Sequence, residues 1–153
     1  MQAWQCEFEK PTVKDLIGAL SPEAGALYTE LRRAVLKQIK KKPKLEWTGL
    51  TWCWCECTHI ENGGMLSTIY LVSDPENPRV ALALSTTFFD SHPPQTLPKV
   101  LHCGFERATC VGHLTWCEWT INSEDLVMGV LELIALAYGP SQEKSAGRKY
   151  GRS

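Results

Sequence analysis

The chain has 153 residues, 44% of them hydrophobic and 22% charged, values of a single ordinary globular domain that exclude a mostly disordered chain. No run approaches 18 apolar residues, which excludes a membrane-spanning helix. The net charge of −1 is unevenly spread, since residues 1–44 carry nine Lys/Arg against five Asp/Glu, residues 45–140 three against eleven, and residues 141–153 four against one; an acidic middle argues against general nucleic-acid binding, which needs a strongly basic domain.

Residues 1–11 read as an arm whose apolar anchors, Trp4, Cys6 and Phe8, alternate with polar positions. Thr12 is suited to cap a short helix to Leu20, with Asp15 in its first turn. Ser21-Pro22-Glu23 opens a second helix with a cap serine, a proline at the first helical position and an acid after it. Ala24, Leu27, Leu31, Val35 and Ile39 then fall on one helix face. The basic residues from Arg32 to Lys44 read as a helix end rather than a phosphate patch. Lysines there offset the negative end of the helix dipole, and Pro43 stops the helix.

From Leu45 the hydrophobic period becomes two. Trp52 to Ile60 alternates strictly, Asn62-Gly63-Gly64 signals a hairpin, and Leu66 to Val72 returns as a second strand. Asp74 to Pro78 turns again before a third strand, Arg79 to Ser85. Residues 86–105 predict an irregular crossover with a short helix over Leu97–Cys103, and His113 to Ile121 a fourth strand. Asn122 or Ser123 caps a last helix that Gly139-Pro140 should stop at Tyr138. The domain plan is an arm (1–11), one α+β domain (12–140) and a disordered basic tail (141–153). The expected fold is α+β: an antiparallel four- to five-stranded sheet with two N-terminal helices and one C-terminal helix packed on one face.

The element order, with Thr12-Val13-Lys14-Asp15 leading into the Ser-Pro-Glu helix, resembles the YdhG-like group of small domains. Trp47 to Trp54 leading into a meander and Glu124-Asp125-Leu126 opening the last helix fit the same outline, over residues 12–138. The resemblance implies a small α+β domain without a catalytic signature. The group is mostly of unknown function and includes members discussed as frataxin-like iron carriers.

The spacing Cys53-x-Cys55-x-Cys57-x-His59 is a zinc ligand set in residue type. Same-face neighbours on a strand are about 6.6–7 Å apart, however, so Cys53 and His59 would stand about 20 Å from one another. One ion could take at most an adjacent pair, with further ligands from a neighbour such as Cys117. Small buried cysteines on a closely approached face are the plainer reading, so the sequence assigns no metal ligand and no cofactor. His102, Cys103, Cys110 and His113 offer thiol–imidazole chemistry only if the fold brings a base within hydrogen-bond reach. Nucleophile elbows, phosphate-binding glycine loops and paired-His motifs are absent, so no catalytic residue is assigned. Seven cysteines without a secretory signal predict free thiols and a cytoplasmic location.

The period of two places Trp52, Trp54 and Glu56 on one side of the first strand, and Trp116 and Glu118 on one side of the fourth. These five residues are the expected binding face for a small molecule or a partner protein. Glu56 and Glu118, if close together, would favour a cationic ligand beside the rings. The rival reading is a Cys/His-dependent metal (iron or zinc) carrier or a small enzyme. Eleven of the thirteen residues from Leu126 to Tyr138 are apolar. Val127, Leu131, Ile134 and Tyr138 therefore need cover, either from the helix beginning near Ala24 or from a second subunit in a homodimer through this C-terminal helix.

Overall fold

The structure is a computed structural model that describes residues 2–61 and 64–151, without the side chains of 139–151. The elements are α1 (Val13–Gly18), α2 (Pro22–Ile39), β1 (Lys44–Trp47), β2 (Trp54–His59), β3 (Leu66–Val72), β4 (Arg79–Ser85), α3 (Phe88–Ser91), α4 (His102–Glu106), β5 (Thr109–Val111), β6 (Leu114–Thr120) and α5 (Glu124–Gly151). The fold is α+β with one antiparallel sheet, in the strand order β1-β2-β3-β4-β6-β5. Six strands replace the four or five expected, because β1 and β5 have only four and three residues. Strands that short carry too few positions for a period of two to stand out.

The helix starts follow the sequence signals. Thr12 Oγ1 accepts from the Asp15 N–H and Ser21 Oγ from the Ala24 N–H, and Pro22 opens α2. α2 ends on Lys40, which takes the left-handed conformation at φ 60°. In the arm, Ala3–Gln5 forms a single 3-10 turn with Trp4 buried. The crossover helix lies later than expected, at His102–Glu106 after a 3-10 turn over Lys99–Leu101. α5 is assigned to Gly151, past the Gly139-Pro140 stop that the sequence predicts. The expected disordered tail (141–153) and the Asn62-Gly63 turn fall outside the fully described residues.

The sheet's two faces differ. Cross-strand partners share a face, so the register aligns Glu56, Leu71, Val80 and Trp119 on one side, and Cys57, Tyr70, Ala81 and Glu118 on the other. On the first side Ile69, Leu71, Val80, Leu82, Leu84, Cys117 and Trp119 meet Leu31 and Val35 of α2 and Leu126, Val130 and Leu133 of α5 in the main core. On α5, Val127 and Ile134 are fully buried within the chain. α2 and the Lys99–Leu101 turn lie against α5, so Val127 and Ile134 take their cover from the same chain, the first of the two expected sources. The second side bears neither of the long helices α2 and α5 and is in that sense the helix-free face; Cys55, Cys57 and Val72 are buried there in a smaller cluster with Cys53, Trp4 of the arm and Leu16 of α1. Ala81 and Ala83 of the central strand are buried as well, beneath larger rings on the same face.

Candidate functional site

Those rings are Trp52, Tyr70 and Trp116. Tyr70 on β3 and Trp116 on β6 flank β4, whose Ala81 and Ala83 are short enough to let the rings meet over it, with centroids 5.4 Å apart. Trp52 arrives from the β1–β2 loop and lies 5.2 Å from Tyr70 and 6.3 Å from Trp116, tilted against both. The spacings are those of aromatic clusters that hold one another in place.

Trp52 reaches this face because of its neighbour. Cys53 has φ 53°, the left-handed region, and its N–H donates to Gly49 O at 2.8 Å. The alternation of β2 begins only after that turn, so Trp52 and Trp54 do not share a side. Trp54 pairs with Trp47 on the helix-bearing side, is 8% exposed, and donates its indole N–H to Cys6 O at 2.6 Å. It anchors the N-terminal arm.

The two glutamates are also on opposite faces. Glu56 is 2% exposed and turned to α2, where its carboxylate accepts from Tyr28 Oη at 2.9 Å and from Arg32 Nε at 2.7 and 2.9 Å. Burial, and next to it the Glu56 charge, hold the Tyr28 phenol well above its ordinary pKa, so Tyr28 donates to a carboxylate that Arg32 neutralises. Glu118 lies on the helix-free face, where Arg79 Nη1 donates to it at 3.0 Å and Arg79 also meets Asp74 at 3.5 Å. Of the five expected site residues, Trp52, Trp116 and Glu118 come together, joined by Tyr70 and Arg79, while Trp54 and Glu56 belong to the core. The argument for a cationic ligand fails with them, since each glutamate already has an arginine.

A cleft of about 640 Å³ runs along the β6 edge, lined by Trp52, Arg79, Trp116 and Glu118 from the helix-free side and by Gly104 and Trp119 from the other. It exists because β5 is short. β5 pairs only with Leu114, Thr115 and Trp116, so the rest of β6 is an unpaired edge. Ile121 N–H donates to Pro78 O on the β4 side, and antiparallel alternation therefore turns the main-chain N–H and C=O of Glu118 and Thr120 toward the cleft.

Three indole N–H groups are used inside the chain: Trp4 donates to Gln2 Oε1, Trp54 to Cys6 O and Trp119 to Leu101 O. Those of Trp47, Trp52 and Trp116 have no partner among the described residues, and of these Trp52 and Trp116 line the cleft. Tyr70 and Arg79 are the contributors that the sequence reading missed. Tyr70 sits in a strand it placed correctly, and the one available signal was its place opposite the small Ala81.

The cysteines take other positions. All seven are free. Cys117 lies on the helix-bearing side opposite Leu82, where burial pushes its thiol up to about 12. Cys55 and Cys57 are buried neighbours on the helix-free face with sulfurs 3.8 Å apart. Their hydrogen bond lowers the pKa of Cys55 and, together with burial, raises that of Cys57. His102 Nε2 is 3.1 Å from Leu97 O and Cys110 Sγ is 3.6 Å from Thr115 Oγ1. The crossover residues thus form no thiol–imidazole hydrogen bond among the described residues.

No family model, curated protein or solved structure matches this chain.

Proposed function

We propose that the protein is a binding domain that takes a planar, largely apolar ring ligand with a polar edge in the cleft along the open β6 edge, against Trp52 and Trp116. The observation that carries this reading is the pair of unpartnered indole N–H groups, on Trp52 and Trp116, beside a cleft of about 640 Å³. Drug-sized ligands occupy sites of about 300–1,000 Å³ built from apolar walls and a few fixed polar groups. Here the walls are Trp52 and Trp116, with Trp119 across the β6 edge, and Tyr70 packs behind the first two. The fixed groups are the Arg79–Glu118 pair and the main chain of the β6 edge, which suit a ring lactam or amide offering one donor and one acceptor side by side. The YdhG-like resemblance belongs to this reading, supported by the order of elements, and so does a cytoplasmic location, supported by seven free thiols. A homodimer through α5 does not, because Val127 and Ile134 are buried within the chain.

Isothermal titration with oxindole and 2-quinolone, two ring lactams, tests the reading. The unaltered chain and Trp54→Ala should bind, while Trp52→Ala and Trp116→Ala should not. Trp54→Ala should instead lose about 3–5 kcal/mol of stability, as a packed ring does. Binding that survives both Trp52→Ala and Trp116→Ala, or no binding of either lactam, would count against the site.

A further inference from the structure

At the far end of the same face, outside the lining of the cleft, three donor side chains of three chemical kinds converge, with a fourth donor beside one of them. Glu46 of β1 faces Cys55 of β2 in the register, and Cys57 and His59 follow on the same side of β2. Glu46 Oε2 and His59 Nε2 are 2.9 Å apart, and one ligand atom from each of Glu46, Cys57 and His59 lies within 4.8 Å of the other two. Cys55 Sγ stands 3.8 Å from Cys57 Sγ. Two thiolates bound to one tetrahedral zinc ion at about 2.3 Å are themselves about 3.8 Å apart.

We propose that Glu46, Cys57 and His59, with the adjacent Cys55 as fourth donor, form a binding site for zinc, or for another divalent cation of the same borderline-soft class. Calcium and magnesium take oxygen ligands, whereas a site offering two sulfurs, one imidazole and one carboxylate selects a softer, tetrahedral ion. A straight strand could not gather these donors alone. The sulfurs lean toward one another across the strand pitch, and the neighbouring edge strand contributes Glu46. Cys53 is excluded by its left-handed turn, and Cys117 by lying on the opposite face.

The surroundings suit the task. Cys55 and Cys57 are buried, while the side chains of His59 and Glu46 are 44% and 38% exposed, so an ion can enter from solvent on their side. Thr68 Oγ1 is 3.5 Å from His59 Nδ1, and Thr48 Oγ1 is 3.5 Å from Cys55 Sγ. With its Nδ1 proton turned to Thr68, the neutral imidazole offers the Nε2 lone pair to the ion, as outer-sphere partners of ligating histidines commonly arrange. Binding sends the two thiol protons to solvent. The dication with two thiolates and one carboxylate leaves a single net negative charge. The Glu46–His59 pair and the Cys55–Cys57 hydrogen bond each account for two of the donors, and neither accounts for Cys57 Sγ lying within 4.8 Å of both Glu46 and His59.

Cobalt(II) titration of the full-length reduced chain provides the test, with Cys6→Ser, Cys103→Ser and Cys110→Ser in the background to remove exposed thiols. One cobalt per chain should bind, with thiolate-to-cobalt charge-transfer absorption and the intense visible bands of a tetrahedral ion, and zinc should displace it. His59→Gln and Glu46→Gln, both at partly exposed positions that leave the fold intact by circular dichroism, should each weaken cobalt binding by at least about tenfold. Cys57→Ser should abolish the charge-transfer band. Trp116→Ala, which tests the ring-ligand reading, should leave cobalt binding unchanged. Absence of the charge-transfer band in the unaltered chain, or its persistence at equal affinity in His59→Gln and Glu46→Gln, would overturn the proposal.

Discussion

Cys53 settles which tryptophan reaches the helix-free face. A left-handed φ at a residue with a Cβ is uncommon, and nothing in the residue type announces it. An Asn or Gly there would have signalled the turn in the sequence; a cysteine inside a strictly alternating run conceals it. Once the chain turns at Cys53, Trp52 joins Tyr70 and Trp116 while Trp54 goes to the other side, so the expected five-residue site divides into two groups. Glu56 was equally illegible, because its partners come from α2, more than twenty residues earlier in the chain. Breaking that pair tests its placement. Arg32→Ala leaves a buried carboxylate without its cation, and such losses cost about 3–5 kcal/mol. Urea unfolding should show that loss, and the double variant Arg32→Ala/Glu56→Gln should recover part of it. An Arg32→Ala chain as stable as the parent would show that Glu56 is not buried against α2.

Among the elements, the long helix α2 and the strands β3, β4 and β6 were legible, because capping residues and regular periods act over six or more residues. The short strands were not. β1 and β5 exist because neighbouring strands offer them an edge, which is tertiary information. Their shortness has consequences for function: β5 ends early and leaves the β6 edge open to the cleft, and β1 brings Glu46 beside the cysteines. α4 owes its position to a close approach. A Cβ at Gly104 would collide with the Trp119 indole, whose N–H donates to Leu101 O at 3.0 Å. Gly104→Ala should therefore destabilise the chain by about 1–3 kcal/mol, the cost of overpacking a filled site. Thermal unfolding measures this, and a Gly104→Ala chain as stable as the parent, despite the helix-favouring substitution, would contradict the packing of α4 on β6.

At the scale of the whole molecule, the sheet divides its labour. One face is committed to α2, α5 and the crossover, and it consumes Trp54, Trp119, Glu56 and Cys117 in doing so. The other face has small residues on its central strand and larger polar and aromatic groups at its two ends, with the ring cluster at the β6 end and the Glu46, Cys55, Cys57 and His59 group at the β1 end. Composition already indicated one α+β domain, but not which face the helices would take, since the strands are apolar on both sides. The most direct test of the ring-binding face is the spectrum of the six indole N–H groups in the ¹⁵N-tryptophan-labelled chain as oxindole is added. The Trp52 and Trp116 resonances should shift together and saturably, while those of Trp4, Trp54 and Trp119, held by internal acceptors, stay in place. Shifts confined to Trp54 or Trp119, or no shift at Trp52 and Trp116 at saturating oxindole, would contradict the account.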